Sequence, residues 1–241
     1  MTSLLTGGSG RLGSELRQLL PDLNAPPRSE LDITDPASIA SALALYKPSL
    51  LVHAAAYTDV AGAEQDRTNC WQTNVEGTRN MVRAALEHAL PLIHISTDYV
   101  FYGDRGDYRE TDTPGPVRNT YALSKLVAEE LVRSLPRHLV VRTSFRPREW
   151  PYPAAFDDIY TSQDYVDVIA PDIALAVDKL AQIPYDTLHI ATERKSVYAL
   201  AVRRKPGVER GSKRDVSVDL PEDISLNTER WQRLKRKLST S

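Results

Sequence analysis

A threonine, a tyrosine and a lysine have the residue types and the spacing to do chemistry. In "YALSK", Tyr121 and Lys125 are four positions apart, so on a helix they lie on the same face. Thr97 comes 24 residues before Tyr121 and ends the apolar run "PLIHIST", which has the length of a strand. Ligands of open α/β sheets bind at the carboxyl ends of the strands. We therefore predict that these three residues form one catalytic site.

Their chemistry suits proton transfer to or from an alcohol or carbonyl oxygen while a hydride moves. A free phenol, with a pKa of about 10, is a weak base at neutral pH. A nearby ammonium group and the positive charge of an oxidised nicotinamide would both favour phenolate, so we predict a lowered pKa for Tyr121. Thr97 would hydrogen-bond the substrate oxygen and fix its orientation. A strand-end hydroxyl satisfied by local groups is the alternative for Thr97.

Glycines mark a second candidate site near the start of the chain. "TGGSGRLG" places Gly7, Gly10 and Gly13 at the spacing G-x-x-G-x-x-G, between an apolar run and a helical pattern. In that setting the first glycine permits a tight turn, the second lets a pyrophosphate approach the backbone, and the third lets the helix pack closely on the strand. The helix N-terminus would supply N–H groups for the phosphates. An ordinary strand-to-helix turn is the alternative on the triplet alone.

The elements that must position these residues alternate regularly over residues 1–145. Uninterrupted apolar runs such as "SLLVHAAA", "PLIHIST" and "HLVVRTSF" are separated by amphipathic helical patterns. This alternation is typical of a parallel sheet covered on both faces. We predict a doubly wound, Rossmann-like α/β fold, with a dinucleotide-binding domain at 1–145. The pattern then loosens, and 146–241 is predicted to be a small substrate-binding part with short returns to the main domain.

Several segments resemble one known family. "TGGSGRLG" is similar to the T-G-x-x-G-x-x-G motif of the short-chain dehydrogenase/reductase family, and above all to its extended branch, which modifies nucleotide sugars. "ELDITD", "HAAAYTDVAGAEQD" and "NVEGTRNM" follow in the order expected for that branch. "STDYVF", "YALSK", "RTSF" and "YTSQDYVDVIA" most resemble its dTDP-4-dehydrorhamnose reductases. The resemblance covers nearly the whole chain and is densest before residue 145.

The resemblance implies an NAD(P)-dependent oxidoreductase that reduces a keto nucleotide sugar, as in dTDP-L-rhamnose synthesis, with Tyr121 as proton donor. It further implies that Lys125 holds the nicotinamide ribose, and it carries over a set of cofactor-binding positions. These are Gly7, Gly10, Arg11, Leu12, Gly13, Asp32, Ile33, Ala55, Ala56, Tyr57, Tyr121 and Lys125.

The choice of cofactor depends on the segment "NAPPRSE", where the second strand is expected to end. It offers no acidic residue for a ribose 2′-hydroxyl, whereas Arg28 could meet a 2′-phosphate. We therefore predict NADP, with NAD as the alternative. A solvent-facing Arg28 without a ligand is the other interpretation.

Three residues are candidates for the substrate site: Thr97, Asp98 and Phe145. The resemblance implies that Asp98 helps to bind the sugar, although it could equally cap the following turn. Phe145 occupies the place where the resembled reductases have a tryptophan, so the apolar face is kept and the indole N–H is lost. Arg142 could reach an anionic substrate or have only a surface role at the strand end.

Composition excludes several classes of function. The chain has 241 residues, 41% of them hydrophobic, with 30 basic and 32 acidic residues and a formal net charge of −2. This balance argues against a dedicated nucleic-acid binder. No apolar run approaches the roughly 20 residues of a membrane span, and "MTSLL" lacks the features of a secretory signal. We expect a cytoplasmic protein with neither nucleic-acid nor membrane partners, and the resemblance implies a homodimer.

The sequence offers no clear metal site. Cys70 is the single cysteine, which excludes an internal disulfide and a cysteine-only zinc site. His53 and His94 lie within apolar runs and fit satisfied core histidines better than ligands. We predict no bound metal.

Two functions from different classes remain open. The first is the reductase, which the presence of Thr97, Tyr121 and Lys125 favours, since a regulator needs no proton donor. The second is a non-catalytic NADP-binding subunit, like the one that accompanies methionine adenosyltransferase. The short segment "RPREWPYPAAFDDI", where the resembled reductases have a longer one, favours the second.

Overall fold

The computed structural model describes residues 2–216 and 219–239. In chain order the strands are β1 (Ser3–Thr6), β2 (Leu23–Asn24), β3 (Leu50–His53), β4 (Leu92–Thr97), β5 (His138–Thr143), β6 (Phe145–Arg146), β7 (Ala154–Phe156), β8 (Tyr160–Thr161), β9 (Asp164–Tyr165), β10 (Thr187–His189), β11 (Lys195–Ser196) and β12 (Glu209–Gly211). The α-helices are α1 (Arg11–Leu19), α2 (Pro36–Tyr46), α3 (Gly62–Gln65), α4 (Arg67–Trp71), α5 (Gly77–Glu87), α6 (Thr120–Arg133), α7 (Val166–Asp178), α8 (Val197–Val202) and α9 (Glu229–Leu238). A π-helical turn (Gln72–Glu76) joins α4 to α5, and 3₁₀ turns span Asp98–Val100, Leu180–Gln182 and Lys213–Asp215.

A six-stranded parallel sheet in the order β10-β5-β4-β3-β1-β2 forms the centre of the molecule. The chain runs from β1 outward to β2 and then returns to β3 on the other side of β1. This reversal makes a switch point, and ligands of such sheets bind in the crevice at the carboxyl ends of the strands there. The predicted doubly wound α/β fold is confirmed.

Successive residues of each strand point to opposite faces and build two cores. In β1, Leu4 belongs to the core with α2 and α5, whereas Leu5 belongs to the core with α1, α7 and α9. In β3, Leu51 and Leu50 divide in the same way. Both faces of the sheet are therefore covered, which explains why the strands read as continuous apolar runs.

Local sequence signals set the helix starts that matter for the site. Asp35 caps α2 by accepting a hydrogen bond from the Ala37 N–H at 2.9 Å, with Pro36 in the first turn. Asn119 caps α6 in the same manner, accepting from the Ala122 N–H at 2.8 Å. This cap fixes the start of the helix that carries Tyr121.

The part of the chain after residue 145 is divided between two places. Helices α7 and α9 join the main core, and β10 extends the main sheet. The basic stretch "RWQRLKRK" lies on α9, whose Trp231 is fully buried and donates its indole N–H to Asp172 at 2.7 Å. A separate small core gathers Trp150, Tyr165 and Leu200. Residue 145 therefore does not separate two hydrophobic cores, because elements from both sides of it share the main core. A division of function at this residue remains a prediction.

No helix in the described ranges is both long enough and apolar enough to cross a membrane.

Candidate active site at the carboxyl end of the sheet

The glycine-rich turn follows β1 and leads directly into α1. Gly7 has a φ of +76°, and a Cβ placed there would lie 2.7 Å from the Ala55 backbone nitrogen. A Cβ on Gly13 would lie 2.3 Å from the Gly7 carbonyl oxygen, so only glycine lets α1 approach the turn this closely. Gly10 is the N-cap of α1 and supplies no side-chain acceptor for the first-turn N–H groups. Those donors therefore suit an anionic ligand.

Three of the other predicted cofactor positions, Arg11, Leu12 and Ile33, differ in how deeply they are buried. Arg11 is exposed on α1, whereas Leu12 is buried in the core. The Ile33 side chain is likewise buried, against the place where Gly77 lacks a Cβ. The side chains of Leu12 and Ile33 are therefore packing groups.

Arg28 and Asp32 form an exposed ion pair beyond β2, with Arg28 Nε 3.2 Å from Asp32 Oδ2. Although partial burial opposes it, hydrogen bonds from Thr34 and the charge of Arg28 lower the pKa of Asp32. Arg28 is thus engaged on one side only and keeps other donors for a phosphate.

The loop after β3, which contains Ala55, Ala56 and Tyr57, is held from two sides. Asn74 accepts from the Tyr57 N–H at 2.7 Å and donates back to the Tyr57 carbonyl at 3.1 Å. Its amide also donates to Ser124 on α6 at 2.9 Å. Asn74 lies in the π-helical turn, a feature often found at functional sites. The motif "NVEGTRNM" drew attention to this residue, but only the structure shows the bracing contacts.

Thr97 and Tyr121 come together where β4 ends and α6 begins. Both are buried, with Tyr121 only 9% exposed. Burial raises the pKa of the Tyr121 phenol, and a hydrogen bond with Thr97 opposes that rise. The Thr97 hydroxyl also accepts from the Tyr99 N–H at 3.2 Å and donates to Asp98 Oδ1 at 3.1 Å. Thr97 therefore makes local hydrogen bonds with Asp98 and Tyr99, as one interpretation requires, and also contacts Tyr121, as the catalytic interpretation requires.

Lys125 lies one turn further along α6 and is turned inward. Its amine donates to the Ile95 carbonyl at 2.7 Å and lies 3.2 Å from His94 Nε2. Burial lowers the pKa of Lys125 to about 8, with the charge of Glu129 opposing. Burial and the Lys125 charge hold the pKa of His94 well below its usual value. Since that ring is neutral, its Nε2 accepts the hydrogen bond.

The predicted lowering of the Tyr121 pKa by Lys125 is wrong for this structure. The pKa of Tyr121 is raised, because burial of the phenol outweighs its hydrogen bond with Thr97 and because the Lys125 amine bonds to His94 and Ile95 instead. A phenol that stays protonated at neutral pH is, however, the form that a proton donor needs.

His53 is a satisfied core histidine, as the sequence predicts. Ala55 N–H donates to Thr6 Oγ1 at 3.1 Å, and that hydroxyl lies 2.8 Å from His53 Nδ1. On the other side, His53 Nε2 lies 3.0 Å from Thr78, whose hydroxyl donates to the Asn74 carbonyl at 2.6 Å. Burial lowers the pKa of His53 to about 3, so the ring is neutral. These hydrogen bonds link the loop that contains Ala55 to the π-helical turn that contains Asn74.

Asp98 and Phe145, the other predicted substrate residues, flank Thr97. Asp98 is fully buried, and burial raises its pKa to about 6, against hydrogen bonds with Thr97 and Ser144 and the charge of Arg146. Its Oδ2 is buried without a hydrogen-bond partner. Phe145 lies half-buried on β6, packed against the main core.

Arg142 does not reach a substrate. Its guanidinium is 1% exposed and donates to both carboxylate oxygens of Glu129, at 3.0 and 2.8 Å. Ser96 donates to the same carboxylate at 2.5 Å. Both interpretations of Arg142, binding of an anionic substrate and a surface role at the strand end, are therefore wrong, because Arg142 forms a buried ion pair between β5 and α6.

Within residues 2–216 and 219–239, no group of three or more His, Cys, Asp or Glu side chains could hold a metal ion.

A switch-point crevice with a glycine turn on one side and a Thr–Tyr–Lys group on the other is characteristic of the extended short-chain dehydrogenase/reductase class. A family model described as "RmlD substrate binding domain" matches residues 1–150. The chain belongs to this RmlD family.

Individual relatives agree with that assignment. The dTDP-4-dehydrorhamnose reductase of Aggregatibacter actinomycetemcomitans is 39% identical over 149 residues, which are 59% of this chain and 50% of the relative. A hypothetical dTDP-4-dehydrorhamnose reductase from Sulfolobus tokodaii superposes with a TM-score of 0.84 at 30% identity, over 97% of this chain and 94% of the other. The dTDP-4-dehydrorhamnose reductase of Bacillus anthracis, solved in complex with NADP, has a TM-score of 0.83 at 27% identity, covering 97% and 91% of the two chains.

The sequence and structural matches differ in extent. The chain spans about half the length of the curated relatives it matches in sequence. The structural match to the Sulfolobus chain is nearly complete on both sides. The compact part after residue 145 thus has a structural counterpart even where the sequences have diverged.

Proposed function

We propose that this chain is an NADPH-dependent reductase of a keto nucleotide sugar, of the dTDP-4-dehydrorhamnose reductase type. The observation that carries the proposal is the meeting of Thr97 and Tyr121 at the carboxyl end of β4, with Lys125 one turn away on α6. The names of the relatives support the substrate class, and the NADP complex of the Bacillus anthracis relative supports the cofactor.

The glycine turn suits the phosphates of a dinucleotide. Any side chain at Gly7 would fill the space between the turn and Ala55, and the first-turn N–H groups of α1 have no side-chain cap. The residues that would hold the cofactor are Gly7, Gly10, Gly13, Arg11, Leu12, Arg28, Asp32, Ile33, Ala55, Ala56, Tyr57, Tyr121 and Lys125. When bound there, NADPH supplies the hydride that reduces the carbonyl carbon.

The chain's own residues supply the proton and the orientation. Tyr121, whose raised pKa keeps it protonated well above neutral pH, donates its proton to the carbonyl oxygen, which becomes the hydroxyl of the product. Thr97 hydrogen-bonds the same oxygen and fixes its approach. Lys125, whose pKa of about 8 leaves it mostly charged at neutral pH, would offer the nicotinamide ribose the one N–H that the Ile95 carbonyl and His94 leave over.

The two parts of the chain divide these tasks in the proposal. Residues 1–145 hold the cofactor and the proton donor, and residues 146–241 contribute to the sugar side through the segment that follows Phe145. Asp98 would accept from a sugar hydroxyl through its free Oδ2. Phe145 would pack against the sugar ring.

The test is oxidation of NADPH by the purified protein with dTDP-, GDP- and UDP-linked keto sugars, with NADH as the cofactor control. We expect turnover with a dTDP-4-keto-6-deoxy sugar and a preference for NADPH over NADH. Tight NADPH binding with no turnover across the panel would contradict the reductase and support the non-catalytic cofactor-binding function. Failure to bind NADPH would contradict both.

A further inference from the structure

Arg146 lies beside the candidate active site. It follows Phe145 on β6, which pairs with β9 so that Arg146 faces Tyr165 in the register. Its positive charge lowers the pKa of Asp98 and of Tyr99, although burial raises both overall. Tyr99 in turn stacks edge-on against Tyr121, with ring centroids 6.2 Å apart. The guanidinium of Arg146 is therefore within electrostatic reach of the reacting groups.

Arg146 differs from Arg148 and Arg204 because no carboxylate is bonded to it, although its charge acts on Asp98. Arg148 donates to both oxygens of Glu15, at 2.8 and 2.7 Å, and Arg204 pairs with Asp167 at 2.9 Å. Across the described ranges of the chain, Arg146 makes no ion pair, and its Nε is buried without a hydrogen-bond partner. Leaving a buried charged donor without a hydrogen-bond acceptor is costly, and Asp98 acts on Arg146 only through its charge, so this position suits a further acceptor.

The surroundings of Arg146 are aromatic. Its guanidinium lies 5.5 Å from the centroid of the Trp150 ring and 5.7 Å from that of Tyr152. The indole Nε1 of Trp150 is also buried without an acceptor, and Tyr152 is 49% exposed. Two unmet donors next to an open aromatic ring match a ligand that carries phosphate oxygens and a flat base.

We propose that Arg146 binds the diphosphate of the substrate, so that the segment after Phe145 recognises a nucleoside diphosphate. This proposal rests on the proposed function for the identity of the substrate, but it makes its own claim about binding. Arginine suits the role because its planar fork of N–H donors pairs with two phosphate oxygens at once.

The test is calorimetric binding of dTDP, without a sugar, to protein saturated with NADPH. We expect Arg146→Met to weaken dTDP binding by about 10-fold to 100-fold, the size of one lost charge-assisted contact. Arg146→Lys, which keeps the charge but loses the fork, should fall between. Arg204→Met is the matched control, because Arg204 also lies over a tyrosine ring, 4.6 Å from the Tyr165 centroid, but has its own carboxylate. Its dTDP affinity should equal that of the wild type.

Two further measurements separate the possible outcomes. Thymidine, which has no phosphate, should bind the wild type and Arg146→Met equally, and NADPH affinity should be the same in every variant. Unchanged dTDP affinity in Arg146→Met, or no dTDP binding by the wild type, would overturn the proposal. If Arg146→Met fails to fold, wild-type dTDP affinity in Arg146→Lys would overturn it.

The outcomes also distinguish this proposal from the proposed function. Arg146-dependent dTDP binding without reduction of any keto sugar would sustain the diphosphate site and contradict the reductase. Reduction of a dTDP-keto sugar with the same KM in the wild type and Arg146→Met would support the reductase and contradict the diphosphate site.

Discussion

At the scale of the residue, burial decides the protonation states of the candidate site. It raises the pKa of the Tyr121 phenol and lowers the pKa of the His53 and His94 rings, so the phenol and both rings stay uncharged over a wider pH range. It also lowers the pKa of Lys125, so the charged amine must be held by the Ile95 carbonyl and by His94. The sequence predicts which side chains meet but not the direction of the Tyr121 shift, because that direction depends on which groups the neighbouring amine bonds in three dimensions.

Replacing Lys125 by methionine should change how stability depends on pH. The pKa of Lys125 falls from 10.5 to about 8 on folding because the amine is buried. Between these values the unfolded chain binds more protons than the folded chain, so wild-type stability should rise from pH 8 to pH 10.5. At about 1.36 kcal/mol per pKa unit, the rise is on the order of 3 kcal/mol. Urea unfolding at a series of pH values measures it.

In Lys125→Met this rise should be absent, and in Lys47→Met, where an exposed lysine is replaced, it should persist. Identical pH profiles for the wild type and Lys125→Met would show that the amine is well solvated.

At the scale of the element, the turn between β1 and α1 and the π-helical turn before α5 shape the crevice. The turn between β1 and α1 could be predicted from the glycine spacing, because Gly7 and Gly13 lie where the backbone leaves no room for a Cβ. The second could not, because "NVEGTRNM" reads as part of one regular helix, and the bracing bonds from Asn74 to Tyr57 and Ser124 cross distant parts of the chain.

The Gly7→Ala variant tests the glycine turn. Alanine at a φ of +76°, with its Cβ 2.7 Å from the Ala55 nitrogen, should lower the free energy of unfolding. A loss of roughly 1–3 kcal/mol is expected from the strained backbone alone. NADPH affinity should fall as well, because the turn and the Ala55 loop must move apart. Thermal unfolding with and without NADPH measures both effects.

Gly207→Ala is the matched control, since a Cβ at Gly207 meets nothing within 4 Å. It should leave stability and NADPH affinity unchanged. A Gly7→Ala protein as stable as Gly207→Ala, with wild-type NADPH affinity, would contradict the role given to the turn.

At the scale of the whole molecule, the sequence predicts the class of fold and the first half of the chain better than the second. The strands β1, β3, β4 and β5 are recognisable because each is buried on both faces, which leaves a continuous apolar run. Short returns to the main domain after residue 145 are predicted, but the sequence does not show that α7, β10 and α9 make them, because periodicity shows that an element is amphipathic but not which surface it covers. The unpaired state of Arg146 was missed for the same reason, since it depends on the distant carboxylates that pair with its neighbours.

The central claim is that Tyr121 donates the proton in reduction of a keto nucleotide sugar, and the Tyr121→Phe variant tests it most directly. Steady-state turnover and NADPH binding would be measured together for the wild type, for Tyr121→Phe and for Tyr185→Phe, an exposed tyrosine remote from the site. The account predicts that kcat falls by about 10²-fold to 10⁴-fold in Tyr121→Phe alone, the usual contribution of a positioned general acid, while NADPH affinity is unchanged. Wild-type turnover in Tyr121→Phe would contradict it.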